Sequence, residues 1–334
     1  MKTYLITLIA ALAITSPALA QSDETNWARQ APRLPDAYFL QPEARNVASN
    51  VMSFQLPTGG WPKNINFFRE HCMRTLDVNE GTIDNSATIT EIRFLMHLFQ
   101  ATQDSTYLHA SMRGIKYLLH MQYPNGGWPQ YWPRRDHYHA HITFNDNAMQ
   151  NVMQLLREVA LHAAPFQHSL PDTLCTLASQ AFDRGIDCIL RCQIWQDGQP
   201  AVWCQQHDEV TLLPVGARSF ELPGLCHHES VSILQLLMSL PHPSPAVVRA
   251  VEGAVAWLKR SRITEADGSY RWARYYNIAD NRPFFCGRDG VKRYRLEEIE
   301  EERQRGYSWY GRQGDQILRH YEAWKQSISH KSVK

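Results

Sequence analysis

The chain has 334 residues, of which 44% are hydrophobic, 20% charged and 11% aromatic, a composition typical of a globular protein with a sizeable core. Its formal net charge is only +1, so the chain lacks the overall basic charge of nucleic-acid-binding proteins, and we exclude nucleic acid as its partner. Beyond the N-terminal region, no stretch contains the ~20 consecutive apolar residues that a membrane span requires.

The first residues, MKTYLITLIAALAITSPALA, have the pattern of a secretory signal. Lys2 supplies a positive charge, Tyr4–Ile14 form an apolar run, and Ala18-Leu19-Ala20 is a small-x-small cleavage site. The apolar run is shorter than the ~20 residues of a membrane anchor. We therefore expect cleavage after residue 20, export to the periplasm or the medium, and a single domain over residues 21–334.

A turn with two glycines and a tryptophan recurs along the chain. Gly59-Gly60-Trp61-Pro62 returns as Gly126-Gly127-Trp128-Pro129, and weaker copies end at Trp203 and Trp272. The tryptophans are 67, 75 and 69 residues apart (128 − 61, 203 − 128 and 272 − 203). Self-similarity at such a period, about seventy residues, indicates a repeated structural unit.

Each repeat predicts a pair of helices, because apolar residues recur at helical spacing and glycine or proline separates the segments. The predicted helices are Ile89–Leu98, Tyr107–Met121, Val152–Leu161, Phe182–Cys192 and Val247–Leu258. Strand-like alternation is limited to short stretches such as Ala201–Cys204. Three or four helix hairpins with long, dissimilar loops predict an all-α toroid with a cleft at one rim. An open solenoid of helix pairs is the alternative.

Two segments place an acid beside an asparagine just ahead of a predicted helix. They are Asp84-Asn85 in the first repeat and Asp146-Asn147 in the second, and the two aspartates are 62 residues apart (146 − 84). This spacing predicts the same place in the repeat and the same rim. Three interpretations remain open: helix N-caps, oxygen ligands of Ca²⁺, or the acid and base of an inverting glycosidase.

The third repeat adds an arginine and two histidines. Arg218 lies among apolar and loop residues, a position that indicates an anionic partner. His227 and His228 are adjacent, so on a helix their side chains point about 100° apart and make a poor pair of ligands. We interpret these two histidines, and those between Arg134 and His141, as rim residues rather than metal ligands.

Basic residues are concentrated near the C-terminal end of the chain. They are Arg271, Arg274, Arg282, Arg288, Lys292, Arg293 and Arg295, set against only Asp280 and Asp289. Arginines among aromatic residues suit a carbohydrate or nucleotide site, in which aromatic rings stack on the ligand and guanidinium groups bind negative charges. A solvated basic loop is the alternative.

Several of these segments, in this order, resemble the family 10 polysaccharide lyases, the pectate lyases with an (α/α)₃ toroid fold. The segments are TIDNSATITEIRFL (82–95), YPNGGWPQYWP (123–133), HITFNDNAM (141–149), WCQQHDE (203–209), ARSFELP (217–223) and RPFFCGRDG (282–290). The resemblance implies a catalytic domain that cleaves polygalacturonate of plant cell walls by calcium-assisted anti β-elimination. A base removes the C5 proton, the C4 oxygen departs, and a 4,5-unsaturated end remains. We expect a monomer.

The resemblance also implies roles for individual residues. Asp84 and Asp146 are expected to hold Ca²⁺, with Asn85 as a further oxygen ligand and Asn147 as a weaker candidate. Arg288 is expected to be the base, which implies an alkaline optimum because a guanidinium pKa lies above ~12. The residues expected to contact the substrate are Arg218, Arg274, Arg303 and Lys292.

Two other functions remain open at the level of the sequence. One is a toroidal glycoside hydrolase that uses Asp84 and Asp146 as acid and base. The other is a non-catalytic, calcium-dependent protein that binds acidic glycans. His227 and His228 also depart from the small residues that relatives carry before the Glu-Ser pair, and we expect them either to narrow a subsite or to alter the preference for methylated pectin.

Overall fold

The structure is a computed structural model that describes residues 26–167 and 169–331, so the predicted signal at residues 1–20 lies outside the described residues. Ten α-helices occur in these two ranges. They are α1 Asn26–Gln30, α2 Pro42–Ser53, α3 Ile89–Thr102, α4 Ser105–Met121, α5 Ala148–Ala160, α6 Asp172–Cys192, α7 His227–Met238, α8 Pro245–Arg260, α9 Glu301–Arg305 and α10 Gly314–Lys331. Every predicted helix is present.

Three helix hairpins, α3–α4, α5–α6 and α7–α8, form the body of the molecule. The first helices of the hairpins contact one another (α3 with α5, α5 with α7), and so do the second helices (α4 with α6, α6 with α8). The first helices are the more completely buried and form the inner row. With α2 packed on α3 and α10 on α7 and α8, the architecture is the predicted (α/α)₃ toroid.

The four repeated tryptophans hold the hairpins together from inside. All four are fully buried, and each indole N–H donates to a backbone carbonyl of the helix that precedes its turn. The pairs are Trp61 to Val51 (2.7 Å), Trp128 to Leu118 (2.8 Å), Trp203 to Ile189 (2.7 Å) and Trp272 to Leu258 (2.9 Å). The repeat in the sequence is therefore a packing repeat.

A glutamine ahead of the first three turns repeats as well. The side-chain amides of Gln55, Gln122 and Gln193 each donate to one carbonyl of their own turn and to one of the following outer helix. The acceptors are Gly59 and Ala110, Gly126 and Ala181, and Ala201 and Ala250, at 2.8–3.0 Å. Each turn is thus fixed to the next outer helix.

Twelve short β-strands lie in the connections between the helices of the described residues. They are β1 Ile142–Thr143, β2 Trp195–Gln196, β3 Gln199–Pro200, β4 Gln206–His207, β5 Pro214–Val215, β6 Leu225–Cys226, β7 Ile263–Thr264, β8 Tyr270–Ala273, β9 Tyr275–Tyr276, β10 Pro283–Cys286, β11 Lys292–Arg293 and β12 Tyr310–Gly311. They pair antiparallel in the orders β1-β4-β5, β11-β10-β9-β6, β12-β8-β7 and β2-β3. These small sheets fix the loops at the rim.

The strand-like alternation of Ala201–Cys204 does not correspond to a β-strand, since this segment is irregular and fully buried. The N–H of Ala201 donates to the Ile194 carbonyl at 2.8 Å, but the next two hydrogen-bonded N–H groups bond side chains. The N–H of Trp203 donates to the Ser230 hydroxyl at 3.0 Å, and that of Cys204 to His207 Nε2 at 3.1 Å. Burial on both sides, not strand pairing, explains its apolar residues.

All seven cysteines are free thiols, and all except Cys72 are buried. Cys188 and Cys192 lie 4.0 Å apart (Sγ to Sγ) within α6 and act as small core groups. Among the residues that the structure describes, no helix is both long and apolar enough to cross a bilayer.

Candidate active site

Asp84 and Asp146 lie in two short 3₁₀ turns that precede the inner helices α3 and α5. The turns are Asp84–Ser86 and Asn145–Asn147, and they contact each other. The structure therefore brings the two aspartates to one rim of the toroid. Because α3 and α5 both begin there, their N-terminal ends form the floor of a common site.

The backbone angles place the two acids one residue out of register. Asn85 has φ 51° and ψ 32°, and Asp146 has φ 50° and ψ 31°. Asn85 is therefore the equivalent of Asp146, and Asp84 is the equivalent of Asn145. The prediction that the aspartates occupy the same place in the repeat is wrong by one residue. Asparagine and aspartate both tolerate this left-handed conformation, so either can occupy it.

Helix capping does not explain either acid. Thr88 and Asn147 are the N-cap residues of α3 and α5, and neither helix has a side-chain cap hydrogen bond. The carboxylate of Asp84 instead forms a salt bridge with the Lys63 ammonium and accepts the Asn85 N–H at 3.1 Å. Both acids are thus free of a capping role.

The electrostatics of this rim favour a bound cation. The Asp84 side chain is buried, whereas Asp146 is open to solvent on one side and surrounded by protein atoms on the others. Desolvation, and then the negative charges of Asp84 and Glu229, raise the pKa of Asp146, while Arg274 acts in the opposite direction. Grouped carboxylates that disfavour one another's ionised form suit a divalent cation with oxygen ligands, such as Ca²⁺.

The two asparagines differ in their availability as further ligands. The side-chain nitrogen of Asn85 donates to Asn64 Oδ1 at 2.9 Å, and among the described residues its own amide oxygen accepts no hydrogen bond. The amide oxygen of Asn147 already accepts the Ser232 hydroxyl. Asn85 is therefore the better oxygen ligand, in the order expected from the sequence.

Behind the acids, Arg274 and Glu229 form a buried ion pair at 2.6 Å, with side chains 7% and 0% exposed. Burial alone would lower the pKa of Arg274, but the carboxylate of Glu229 together with Tyr275, Tyr307 and Cys226 outweighs burial and raises that pKa. The guanidinium carbon of Arg274 also lies 4.6 Å from the centre of the Tyr307 ring. Arg274 therefore supplies a fixed positive charge next to Asp146.

Three further arginines surround the ring of Phe220, and we call Arg218, Arg288 and Arg303 the arginine cluster. Their guanidinium carbons lie 4.8, 6.0 and 4.8 Å from the ring centre. Glu302 pairs with Arg288 at 3.1 Å and with Arg303 at 2.5 Å. The side chain of Arg288 is 60% exposed and that of Arg303 only 10%. Three predicted site residues thus form one basic surface.

A chain of hydrogen bonds connects Asp146 to Arg218 in the arginine cluster. Asn145 Nδ2 donates to Asp146 Oδ2 at 2.9 Å, and Gln205 Nε2 donates to Asn145 Oδ1 at 2.6 Å. Gln205 Nε2 also donates to Glu221 Oε1 at 3.0 Å. The buried Glu221 in turn accepts Arg218 Nε at 2.8 Å. Arg218 is therefore oriented by the same network that orients Asp146.

Sequence reasoning missed Gln205, Glu221 and Glu229 as parts of the site. All three are buried polar residues, and each lies within or just after a segment that carries the family resemblance. Glu221 follows Arg218 by three residues, a spacing that could have indicated the ion pair. Burial of a polar residue is the signal, and the sequence alone does not display it.

Lys292 and His227, two residues predicted to lie at the site, make their contacts in other parts of the molecule. Lys292 donates to Asn277 Oδ1 at 3.1 Å and covers the Phe284 ring, so its contacts tie it to the strands rather than to the arginine cluster. His227 is fully buried and stacks on Trp272, with ring centres 5.0 Å apart. Burial lowers the pKa of His227 to about 3. The interpretation of His227 as a rim residue that narrows a subsite is wrong, because its ring is part of the core.

A second group of possible metal ligands lies farther along the rim. Ligand atoms of His141, Asp208 and Glu209 all lie within 4.8 Å of one another. His141 Nδ1 is 2.9 Å from Glu209 Oε2, and Asp208 Oδ1 accepts the Val210 N–H at 3.0 Å. These side chains already have partners within the protein. The group could hold a metal ion, which the sequence did not indicate.

A cleft of about 580 Å³ opens beside Asp84. Its lining includes Lys63, Tyr131 and two arginines of the predicted rim loop, Arg134 and Arg135. The guanidinium of Arg134 lies 5.6 Å from the Tyr131 ring centre, on a wall next to the Lys63 salt bridge with Asp84. Lys63 therefore connects this cleft to Asp84.

Comparisons with known proteins show which family has this sequence and fold. The model of the pectic acid lyase family matches residues 55–318. A family 10 polysaccharide lyase from Cellvibrio cellulosa is 32% identical, with a TM-score of 0.81 over 92% of this chain and 98% of that one. A mutant of a family 10 polysaccharide lyase from the same organism, in complex with trigalacturonic acid, is 32% identical, with a TM-score of 0.78 over 90% and 98%. No curated protein sequence matches the chain.

Proposed function

This chain belongs to the pectic acid lyase family, and we propose that it cleaves polygalacturonate by calcium-assisted anti β-elimination and releases 4,5-unsaturated oligogalacturonides. Membership in a family of lyases removes the alternative of a non-catalytic binding protein. One observation carries the mechanism: a hydrogen-bond network connects Asp146, one of the proposed cation ligands, to Arg218 of the arginine cluster. The related complex with trigalacturonic acid supports galacturonan as the substrate.

Asp84, Asp146 and the amide oxygen of Asn85 are the proposed ligands of Ca²⁺. The raised pKa of Asp146, caused by desolvation and by the neighbouring carboxylates, supports this assignment. When bound, the ion would neutralise a substrate carboxylate and stabilise the negative charge that develops on it as C5 loses its proton. Lys63, paired with Asp84, adds positive charge on the same side.

The elimination needs a base beside C5. The assignment of this role to Arg288 stays a prediction, and its exposure and its bond to Glu302 support the binding of a substrate carboxylate instead. What supports Arg218 as the base is the hydrogen-bond chain that orients it together with Asp146. The neutral guanidine would take the C5 proton, and the C4–oxygen bond would break. The departing oxygen would keep the electron pair and take a proton from solvent.

The remaining arginines would bind carboxylates of neighbouring sugar units. Arg303 is held by Glu302 against Phe220, and Arg274 by Glu229 against Tyr307. These pairs fix each guanidinium before substrate arrives, which reduces the entropy lost on binding. In this scheme a galacturonan chain crosses the rim from the arginine cluster past Asp146 towards the cleft beside Asp84.

The test is to incubate the purified protein with polygalacturonate and to follow the ultraviolet absorbance of the conjugated double bond. We expect activity with added Ca²⁺, loss of activity in EDTA, and recovery when Ca²⁺ is restored. New reducing ends without new absorbance would establish the hydrolase that uses Asp84 and Asp146. Undiminished elimination in EDTA would refute the calcium mechanism.

A further inference from the structure

The third turn of the repeat is longer than the first two. From the repeated glutamine to the repeated tryptophan, the first two turns span six residues (61 − 55 and 128 − 122), and the third spans ten (203 − 193). The glutamine and the tryptophan make the same hydrogen bonds in all three. The four additional residues are therefore accommodated outside the packing framework, within the six-residue hairpin β2–β3 (195–200).

The hairpin is anchored by one of its faces and exposes a tryptophan on the other. Gln196 is buried, donates to the Ile278 carbonyl at 2.9 Å and accepts Arg260 at 3.1 Å. Its neighbour Trp195 therefore points outward, and it is 64% exposed. All ten tryptophans lie in the described residues, and none of the others is exposed. A rigid hairpin thus keeps one indole in solvent.

A cleft of about 540 Å³ lies between this hairpin and helices α6 and α8. Pro200, which pairs opposite Trp195, packs on Gly253 of α8, where a Cβ would lie 2.5 Å from the proline ring. Arg249 is one helical turn before Gly253 and lines the same cleft. The Cβ atoms of cross-strand pairs and of i,i+4 helix neighbours are each about 5–6 Å apart. The indole of Trp195 and the guanidinium of Arg249 therefore face the same cleft.

Charge in this cleft favours an anion. The side chain of Arg249 is exposed, and no carboxylate of the described residues pairs with it. The acid in the lining, Glu252, is neutralised by Lys325 at 3.0 Å. The cleft therefore offers an aromatic face and an unpaired guanidinium above a floor that includes Leu190, Ala246 and Ala250.

We propose that Trp195 and Arg249 form a secondary binding site for an acidic polysaccharide, separate from the catalytic rim. A sugar ring would stack on the indole, and a uronate carboxylate would bind the guanidinium. Only the identity of the polymer, polygalacturonate, rests on the proposed function. Because the helices of a hairpin are antiparallel, the end of α6 that carries Trp195 lies at the same end of the molecule as Asp146, ahead of α5. One long chain could therefore engage both sites, which raises the effective substrate concentration.

The test compares variants by their retardation in native gels that contain polygalacturonate, with EDTA present to stop cleavage. We expect Trp195→Ala and Arg249→Gln each to weaken binding about threefold to tenfold, the range given by the loss of one stacking or ionic contact. Leu177→Ala, which removes an exposed apolar side chain of α6 outside the proposed site, is the matched control and should bind as the original protein does. The cleavage rate of trigalacturonate with Ca²⁺ should stay unchanged in all three variants.

Unchanged retardation of both site variants would overturn the proposal, as would equal retardation in a neutral galactan gel. A fall in the trigalacturonate rate would place Trp195 in the catalytic subsites and also overturn it. If the original protein shows no elimination at all, the proposed function fails. The retardation measurement would still report on the secondary site.

Discussion

Arg218 and Arg288 belong to one cluster but differ in their partners. Arg218 is held by the buried Glu221, and Arg288 by the exposed Glu302. We expect Arg218→Gln to lower kcat by about 100-fold or more, the scale of a lost general base, with an intact fold. We expect Arg288→Gln mainly to raise KM, because it would remove uniform binding of a carboxylate. Initial rates of absorbance increase over a range of polygalacturonate concentrations measure both effects.

The same two variants also test which arginine is the base: Arg218, which the structure favours, or Arg288, which the sequence resemblance implies. If Arg288→Gln lowers kcat and Arg218→Gln changes only KM, the assignment made from the resemblance is correct. A melting curve of each variant is the control, because Glu221 loses a charged partner when Arg218 is replaced. Glutamine keeps a donor for that carboxylate and limits the damage.

At single positions, the sequence identified the acids but not their register. Asp84 and Asp146 were found because each stands beside an asparagine ahead of a helix. Counting from acid to acid gave 62 residues, whereas the left-handed positions, Asn85 and Asp146, are 61 apart (146 − 85). Backbone conformation shows that Asn85 and Asp146 are the equivalent positions. The sequence does not show this, because asparagine and aspartate both tolerate the left-handed conformation.

At the scale of elements, the repeated turn depends on a glycine pressed against the next outer helix. Gly126 has φ +93°, and a Cβ there would lie 2.0 Å from the Arg184 carbonyl oxygen. Gly268 also has positive φ (+79°) but has nothing within 4 Å. We expect Gly268→Ala to cost about 1 kcal/mol through backbone strain alone. Gly126→Ala should cost about 3 kcal/mol or more, because the clash adds to that strain.

Thermal unfolding of the two variants measures the difference, and Gly268→Ala serves as the control for positive φ. Equal melting temperatures would mean that the turn relaxes around the added methyl group. They would also show that close approach to α6 does not hold the repeat together. The equivalent Gly59, whose Cβ would lie 2.4 Å from the Arg113 carbonyl oxygen, should behave as Gly126 does.

Helices were predictable from the sequence, and the short strands were not. Ile89–Leu98 and Tyr107–Met121 carry enough helical periodicity to identify α3 and α4, which differ from the predictions only at their ends. Most strands contain two residues, too few to show any alternation. His227 illustrates the same limit, because its burial follows from stacking on Trp272, a residue 45 positions away (272 − 227).

At the scale of the whole molecule, the toroid follows from the repeat, but the site follows from contacts between repeats. Asp84 belongs to the first repeat, Asp146 to the second and Arg218 to the third. These three residues come together only if the hairpins close around a common axis. The spacing of the repeats along the chain predicts this closure but not the distances between the side chains. The hydrogen-bond chain through Gln205 and Glu221 then fixes the geometry, and no local pattern predicts it.

The charges of the assembled site set the pH range of the enzyme. Side-chain hydrogen bonding to Glu221 raises the pKa of Arg218. The neutral form of the Arg218 guanidinium therefore becomes appreciable only at high pH. In the proposed mechanism Asp146 must be ionised to bind Ca²⁺, and its pKa is raised by desolvation and by Asp84 and Glu229. As pH falls, calcium affinity therefore weakens at a higher pH than for an ordinary aspartate. Both shifts act in the same direction, towards alkaline activity.

We expect kcat/KM at saturating Ca²⁺ to rise about tenfold per pH unit from neutral pH upwards, because the neutral fraction of a base far below its pKa increases by that factor. Initial rates at several pH values measure the slope, with melting curves at each pH to separate it from unfolding. Asp146→Asn, which removes the titrating carboxyl, should lose activity at every pH rather than shift the profile. An optimum near pH 5 would contradict an arginine base, since almost no guanidinium is deprotonated there.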